Sequence, residues 1–581
     1  MKSISFVVVV LLVAVGLAAA EIKNRGWWKN AVFYQVYPRS LKDADGDGVG
    51  DLKGITSKLE HFTSTGITAI WLSPINRSPM HDFGYDISDF RDVDPIFGSL
   101  KDLKNLLAEA HKIGLKVILD LVPNHTSDEH YWFQQSVNIT KAGKYADYYV
   151  WVNGVGKDKK SPPNNWVSVF NGTAWTYHEG RQQFYFHQFL SSQPDLNYRN
   201  PDVQQEMEEI MRYWLDIGID GFRIDAVPHL FELEDTTKNE TKLNNLDPNL
   251  HLNETHHAYF NHTYTKDQIE TYNLVQSWRK FVDKYAEQND RDEIVLLTEA
   301  YTSLPNTLKY YSYGSHVPFN FKFITDADAN SNATQLKNVI DNWVKQMPQD
   351  TVANWVMGNH DRVRVASRYP ERGDQMIMLE MILPGVAVTY YGEEIGMVDT
   401  PPPYKYDFRD GCRSPFQWDN TTSAGFSNNT NTWLPVHKNY TKVNLAKEKN
   451  ESDSTYQLYT KLIELRKHHT LKHGSLTTKD LSQHVLAVLR ETETETLSLL
   501  INTSKNKTLV NLNELGSVRV SGGPTKVQLG NKYFDKEPGT STNATIELPG
   551  YAAVVLMSGA SLASYSFITL LFAVLFSLFR W

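Results

Sequence analysis

The strongest constraint on this chain is a rhythm: short, β-prone apolar runs alternate with amphipathic helical stretches over most of its length. The runs are Val32–Tyr37, Ala69–Leu72, Val117–Val122, Gly221–Ile224, Ile294–Thr298, Pro318–Phe321, Asn354–Met357 and Val386–Tyr390. Helical periodicity fills many of the gaps, at Leu100–Ile113, Val203–Ile217, Leu274–Ala286 and Leu336–Gln346. Strands separated by helices build parallel βαβ units. Units of this kind repeated in series predict an α/β fold, a (β/α)8 TIM barrel.

Two segments break the rhythm. Residues 127–200 are loop-rich, aromatic and polar, and too long for a plain connection, so they read as a subdomain inserted after the third strand. Leu230 to Thr265, rich in Asn, Thr and His, reads as a surface excursion carrying glycans. The barrel then occupies 21–126 and 201–475 and ends near a last helical stretch, Tyr456–His468. Over 476–557 the pattern changes to short alternating runs such as Val485–Leu489, Leu497–Ile501 and Ala552–Leu556, which predict a C-terminal antiparallel β domain. A length of 581 residues accommodates a barrel with these additions.

The ends carry their own signals. Met1-Lys2, an apolar run from Phe6 to Leu17 and Ala18–Ala20 make a secretory signal over 1–20, cleaved before Glu21. Over 558–581, the small residues Ser558 to Ser561 and the apolar tail Phe567–Phe579 fit a lipid-anchor signal of GPI type that is removed. A retained C-terminal span is the alternative. Either puts the folded body on the outer face of the cell membrane. Asn-x-Ser/Thr acceptors, among them Asn138, Asn171, Asn261, Asn332, Asn439 and Asn543, agree with export. Asn124 also matches but is expected in a buried site, unmodified. The single Cys412 forms no internal disulfide. A net charge of −9 argues against nucleic acid as a partner. An aromatic content of 12% suits sugar-stacking surfaces and a large core alike.

Functional groups of a barrel sit at the carboxyl ends of its strands. Reading past each run gives Asp120-Leu-Val-Pro-Asn124-His125, then Asp225, then Thr298-Glu299-Ala300, then Gly358-Asn359-His360-Asp361, with Gly84-Tyr85-Asp86 after the second. Arg223 and Asp225 are two apart and share one side of a strand. Alone they describe a buried ion pair as well as a site. Three acids at one rim change the balance towards glycoside hydrolysis, which needs an ionised and a protonated carboxyl about 5–5.5 Å apart in its retaining form. Arg223 favours an ionised Asp225, and the apolar approach Ile294–Leu297 suits Glu299 as the acid. Asp361 is left to grip ring hydroxyls, with His125 and His360 as hydroxyl donors.

The runs DLVPNH, GFRIDA, LTEAY and GNHD, in this order, resemble the signature regions of the α-amylase family of glycoside hydrolases. QPDLN (Gln193–Asn197) and DGCRSPFQWD (Asp410–Asp419) are similar to motifs of its oligo-1,6-glucosidase and α-glucosidase branch. The resemblance implies Asp225 as nucleophile, Glu299 as acid/base and Asp361 as transition-state stabiliser. It also implies that Asp86 and Arg413 hold the non-reducing-end glucose in a blind pocket, with Tyr85, His125, Arg223 and His360 lining the first subsite. Ala226 resembles members preferring α-1,4 bonds. The activity implied is that of a retaining, exo-acting α-glucosidase on small α-glucosides such as maltose or sucrose.

Asp43, Asp45, Asp47, Val49 and Asp51 alternate as in a calcium loop, with Gly48 at the turn position, although Gly54 stands where an EF-hand has glutamate. The family supports a structural Ca2+ here, outside the sugar pocket. Two rival readings are a tethered binding protein, either a transporter subunit or a surface recruited by a toxin or other protein ligand, and a transglycosylase using the same machinery. The intact acid set disfavours the first.

Overall fold

The computed structural model describes residues 21–138, 143–516 and 525–559. The expected export signal (1–20) and the apolar tail of the expected anchor signal lie outside these residues. Among the described residues no helix is long and apolar enough to cross a membrane.

Eight strands form the barrel: β1 (Val32–Val36), β2 (Ala69–Leu72), β3 (Lys116–Leu121), β4 (Gly221–Ile224), β5 (Val295–Thr298), β6 (Val317–Pro318), β7 (Asn354–Val356) and β8 (Val386–Tyr390). Their order is β6-β5-β4-β3-β2-β1-β8-β7, and every hydrogen-bonded pair is parallel. Side chains alternate between two environments. Phe33, Trp71, Ile118, Val295, Leu297, Val317, Val356 and Val388 meet inside the barrel. Their neighbours Tyr34, Ile70, Val117, Leu119, Phe222, Leu296, Trp355 and Ala387 face the helices. With both faces buried, each strand reads as apolar throughout.

The outer ring follows from amphipathic helices. In α1 (Leu100–Lys112), Leu103, Leu106, Leu107 and Ala110 form one buried stripe, and Ser99 and Asp102 cap its start reciprocally. Asn200 caps α2 (Pro201–Ile217), with Pro201 in the first turn where its missing N–H costs nothing. Further helices are α3 (Ile269–Gln288), α4 (Ala333–Gln346), α5 (Gly373–Ile382) and α6 (Thr455–Arg466).

The expected sixth strand is shorter than its apolar run. Pro318 offers no N–H to a ladder, and the chain turns into a short helix at Lys322–Thr325. The seam between β6 and β7 is closed by a side chain. The Asn354 Nδ2 donates to the Pro318 carbonyl at 2.7 Å, and its Oδ1 accepts the Asn320 N–H, also at 2.7 Å.

Within 127–200 lie a helix (Tyr131–Ser136) and an antiparallel sheet of Trp151–Val152, Gln183–Phe186 and Trp175–His178, around a core of Trp166, Trp175, Phe184 and Phe186. The 230–265 segment is largely exposed, as expected of a surface excursion. It is bonded to this insertion: Asn165 and Glu240 exchange two hydrogen bonds, at 2.8 and 3.0 Å. Trp166 Nε1 donates to the Lys238 carbonyl at 2.9 Å, and the Gly172 N–H to that of Thr255 at 2.7 Å. Its organiser is the buried Glu240 carboxylate, which accepts the N–H groups of Thr263, Tyr264 and Thr265.

The C-terminal part is a five-stranded antiparallel sheet beginning with β9 (Ser475–Ser482), β10 (Val485–Glu491) and β11 (Glu495–Asn502), followed by β12 (Lys526–Gly530) and β13 (Ala553–Gly559). Strand β13 runs through Ser558 and Gly559, so two residues expected to open the anchor signal are paired with β11. The sheet is fixed to the barrel at the end of α5. Arg490 of β10 donates to the Ile382 carbonyl at 3.0 Å, and beside it Arg466 of α6 donates to that of Met381 at 2.8 Å, satisfying acceptors the helix leaves open.

Replacing Asn354 by Ala strands a buried carbonyl and a buried N–H at the seam, a cost of about 2–4 kcal/mol. The expected outcome is a thermal midpoint lower by several degrees with unchanged secondary structure by circular dichroism; an unshifted midpoint would show that the seam holds without this side chain.

Candidate active site

The carboxyl ends of the strands open into a pocket of ≈ 580 Å³. Strand β4 positions its centre. A side chain at Gly221 would strike the Val295 carbonyl oxygen at 2.5 Å, so glycine lets β4 lie close to β5. After Asp225 the chain turns sharply, with Ala226 at φ 45°, a left-handed conformation that surrounding structure must enforce. Part of that enforcement is the Ala226 N–H, which donates to Glu299 Oε2 at 2.9 Å.

Arg223 is the hub. One guanidinium nitrogen contacts Asp225 Oδ1 at 2.5 Å and Asp120 at 2.9 and 3.1 Å. The other reaches Glu299 Oε1 at 2.9 Å. Asp120 stands in register with Arg223 on the adjacent strand and also receives the Tyr85 hydroxyl at 3.1 Å. Burial pushes the Asp120 carboxyl up to about 7 and raises Asp225 as well, with Arg223 opposing both. Asp120 and Asp225 share that one cation, so the two carboxyls titrate together rather than singly.

Asp361 has the opposite environment. Burial works against its charge, but the guanidinium groups of Arg413, Arg409 and Arg223 together hold it below the usual carboxylate range. Arg413 donates to it at 2.9 Å, and Arg409 lies at 3.5 Å. His360, stacked on Tyr85 with ring centroids 5.3 Å apart, is pushed down to about 3 by burial and is neutral. His125 lines the pocket and is lowered to about 4 by burial. Its Nε2 lies 3.0 Å from the Tyr85 carbonyl oxygen, a contact that places the proton on that nitrogen.

The structure thus brings Tyr85, His125, Arg223, Asp225, Glu299, His360 and Asp361 into one site. It corrects the pair expected to hold the terminal glucose. Asp86 is fully buried, and its carboxylate accepts from Ser78 Oγ, the His81 N–H and the Asp82 N–H within its own loop. Arg413 is spent behind the pocket on Asp361 and the His360 carbonyl. The residues that face the pocket are Asp82 and Arg409, paired at 3.1 Å, with Gln193 donating to Asp82 at 3.1 Å. Sequence reasoning also missed Asp120 as a partner of Arg223, although its place at the same level of the neighbouring strand was the available signal. It missed as well the outer wall, made by Phe170, Asn171 and Phe189 of the insertion and by His257 of the 230–265 segment.

The acidic loop lies away from this pocket. Asp43, Asp45 and Asp51 each offer an oxygen, and these oxygens lie within 4.8 Å of one another. Asp47 is not part of the convergent set, and its Oδ1 accepts the Val49 N–H at 2.7 Å. The loop is held against 426–433: Ser427 Oγ donates to Asp43 at 2.5 Å, and the Trp433 N–H donates to the Gly48 carbonyl at 2.9 Å. Three convergent carboxylates repel one another unless a cation sits between them, and all-oxygen donors suit a hard divalent ion.

Comparison with known proteins follows the same line. A family model described as the catalytic domain of α-amylase matches residues 35–474. Maltase 1 of Drosophila virilis is 48% identical over 507 residues, covering 83% of this chain and 79% of that protein. An α-glucosidase of Apis mellifera is 43% identical over 554 residues, covering 91% and 94%. The crystal structure of an α-glucosyl transfer enzyme superposes with a TM-score of 0.79 at 32% identity, covering 92% of this chain and 99% of that one. With the barrel, the acids at its carboxyl rim and these matches in agreement, the chain belongs to the α-amylase family.

Proposed function

We propose that this protein is a retaining, exo-acting α-glucosidase that releases glucose from the non-reducing ends of small α-glucosides such as maltose or sucrose. The observation that carries the reading is the Arg223 fork, which presents Asp225 and Glu299 side by side in one pocket. Two carboxyls on one guanidinium favour the short spacing of a retaining pair, about 5–5.5 Å, over the about 6.5–9.5 Å an inverting enzyme needs. Relatives named maltase and α-glucosidase support the same activity.

In the first step an Asp225 oxygen bonds to the anomeric carbon as the glycosidic C–O bond breaks. Glu299, as the acid, gives a proton to the leaving oxygen. In the second, Glu299 takes a proton from water, the hydroxide oxygen bonds to the anomeric carbon, and the bond to Asp225 breaks. Each step inverts the carbon, so glucose leaves as the α-anomer. Asp361, held ionised, grips ring hydroxyls and gains most when the ring flattens. The Asp82–Arg409 pair closes the pocket on the terminal glucose, which limits attack to chain ends.

Asp43, Asp45 and Asp51, with the Val49 carbonyl, would hold a Ca2+ that neutralises mutual repulsion and staples 43–51 to 426–433. It supplies no chemistry to the pocket. The export and anchor signals expected at the ends put the enzyme on the outer face of the cell membrane.

Asp225→Asn is expected to lose maltose turnover by about 10⁴-fold or more. Glu299→Gln is expected to slow it by about 10²–10⁴-fold. Both variants should keep wild-type circular dichroism, and near-normal rates from either, or β-glucose as first product by NMR, refute the mechanism. Arg409→Ala, which leaves Asp82 buried without its partner, should lower kcat/KM on maltose by about 30-fold or more; Michaelis–Menten kinetics showing no change would return the terminal-glucose role to Asp86 and Arg413. Chelator treatment should lower the thermal midpoint, by an amount equivalent to about 2.7 kcal/mol if the ion was present at 100 times its dissociation constant. Added Ca2+ should restore the midpoint; scanning calorimetry with no chelator effect removes the ion from the structure.

A further inference from the structure

One acceptor motif, Asn171-Gly172-Thr173, has no part in the mechanism, yet the fold sets it at the mouth of the pocket. Asn171 lines the same cavity as Asp225 and Glu299. It sits at the tip of a tight turn: its N–H donates to the Ser168 carbonyl at 2.8 Å, and the Ser168 N–H donates to that of Gly172 at 2.9 Å. Its φ of 72° is a left-handed conformation that Asn adopts more readily than most residues. The residue is exposed. Its Oδ1 accepts the His257 N–H at 2.9 Å. Nδ2, the atom that carries an N-glycan, makes no hydrogen bond to any described residue.

Other acceptors contrast with it. Asn76, Asn124 and Asn502 are 2%, 1% and 0% exposed. The amide nitrogens of Asn76 and Asn502 are spent on the carbonyls of Phe90 and Asn506 at 2.9 and 2.7 Å. A glycan at any of these three would have to displace packed protein. At Asn171 it displaces nothing, and it meets the path of a substrate instead. Next to Asn171, the Phe170 ring lies 5.7 Å from the guanidinium of Arg409, so the turn reaches the residue proposed to hold the terminal glucose. Phe408, 69% exposed, borders the same mouth.

We propose that Asn171 carries an N-linked glycan that overhangs the pocket mouth and restricts the enzyme to short glucosides. This rests on the reading of the chain as an exported α-glucosidase. The donor is a polyprenyl-diphosphate-linked oligosaccharide. The sugar C1–O bond to diphosphate breaks, C1 bonds to Asn171 Nδ2, and the amide loses one proton as the lipid diphosphate departs. The glycan leaves the bond-breaking end of the pocket untouched. It obstructs only sugars that extend past the first leaving unit.

The test uses the full chain from a glycosylating insect cell line. Peptide mass mapping is expected to find the Asn171 peptide carrying N-acetylhexosamine and hexose in the wild type and in Thr173→Ser, and bare in Thr173→Ala. The ratio of kcat/KM on maltoheptaose to that on maltose should rise about fivefold or more in Thr173→Ala, as expected for relief of a steric block, and stay at the wild-type value in Thr173→Ser. Trimming folded wild type with an endoglycosidase, which requires no variant to fold, should raise the ratio similarly and leave that of Thr173→Ala unchanged. A bare wild-type peptide, or a ratio indifferent to loss of the glycan, overturns the proposal. Absence of maltose turnover in glycosylated wild type is a different result: it overturns the activity, and the gating with it.

Discussion

Most of what this molecule can do depends on one guanidinium serving three buried carboxyls. Arg223 touches Asp120, Asp225 and Glu299 while its own side chain is 2% exposed. Each ion taken out of water costs several kcal/mol unless partners replace its hydration. One cation cannot balance three anions, and burial accordingly raises the Asp120 and Asp225 carboxyls towards their protonated forms. Glycoside hydrolysis needs a proton at the leaving oxygen and a carboxylate to attack. The electrostatic imbalance that burdens the fold therefore bears directly on the reaction.

Keeping that imbalance in place is the work of the barrel. Strands β3, β4 and β5 are in continuous parallel register, which sets Asp120, Arg223 and Leu297, two residues before Glu299, at one height. Gly221 lets the neighbouring strand approach, and the left-handed turn at Ala226 swings Asp225 inward while its N–H fixes Glu299. Catalytic acids placed from strand ends move little, because each strand is buried on both faces. The weakest part of the ring is the seam at β6, where Asn354 does with one amide group what a ladder does elsewhere.

The strands were legible because burial on both faces leaves an unbroken apolar run, and seven of the eight kept their predicted ends to within one residue, the sixth being the exception. Asp225, Glu299 and Asp361 were legible for the same reason: a strand end says where its next side chain goes. Asp86 and Arg413 show where this logic stops. Asp82 and Asp86 lie four apart in an irregular loop, and Arg409 and Arg413 four apart around a 3-10 turn at Phe408–Gly411. No periodicity tells which member faces the sugar, and each acid is decided by hydrogen bonds made inside the loop, such as those Ser78 and His81 give Asp86. The 230–265 segment is largely exposed, as a surface excursion should be, but its anchoring was hidden for a related reason. Its polarity suits a solvated excursion, and nothing in it singles out Glu240, whose buried carboxylate gathers three backbone N–H groups and ties the segment down.

The pocket therefore has two halves with different physics. Its floor belongs to strand ends and to charges that cannot be changed singly without leaving a buried ion unpaired. Its wall belongs to the insertion and the 230–265 segment, joined by loop-to-loop hydrogen bonds and a separate aromatic core around Trp166 and Trp175. A change in the wall alters which leaving group fits and how far a chain can extend, at a cost confined to loops. Linkage and substrate length can accordingly be retuned, by substitution or by a sugar attached at a turn, while bond cleavage at the floor stays the same.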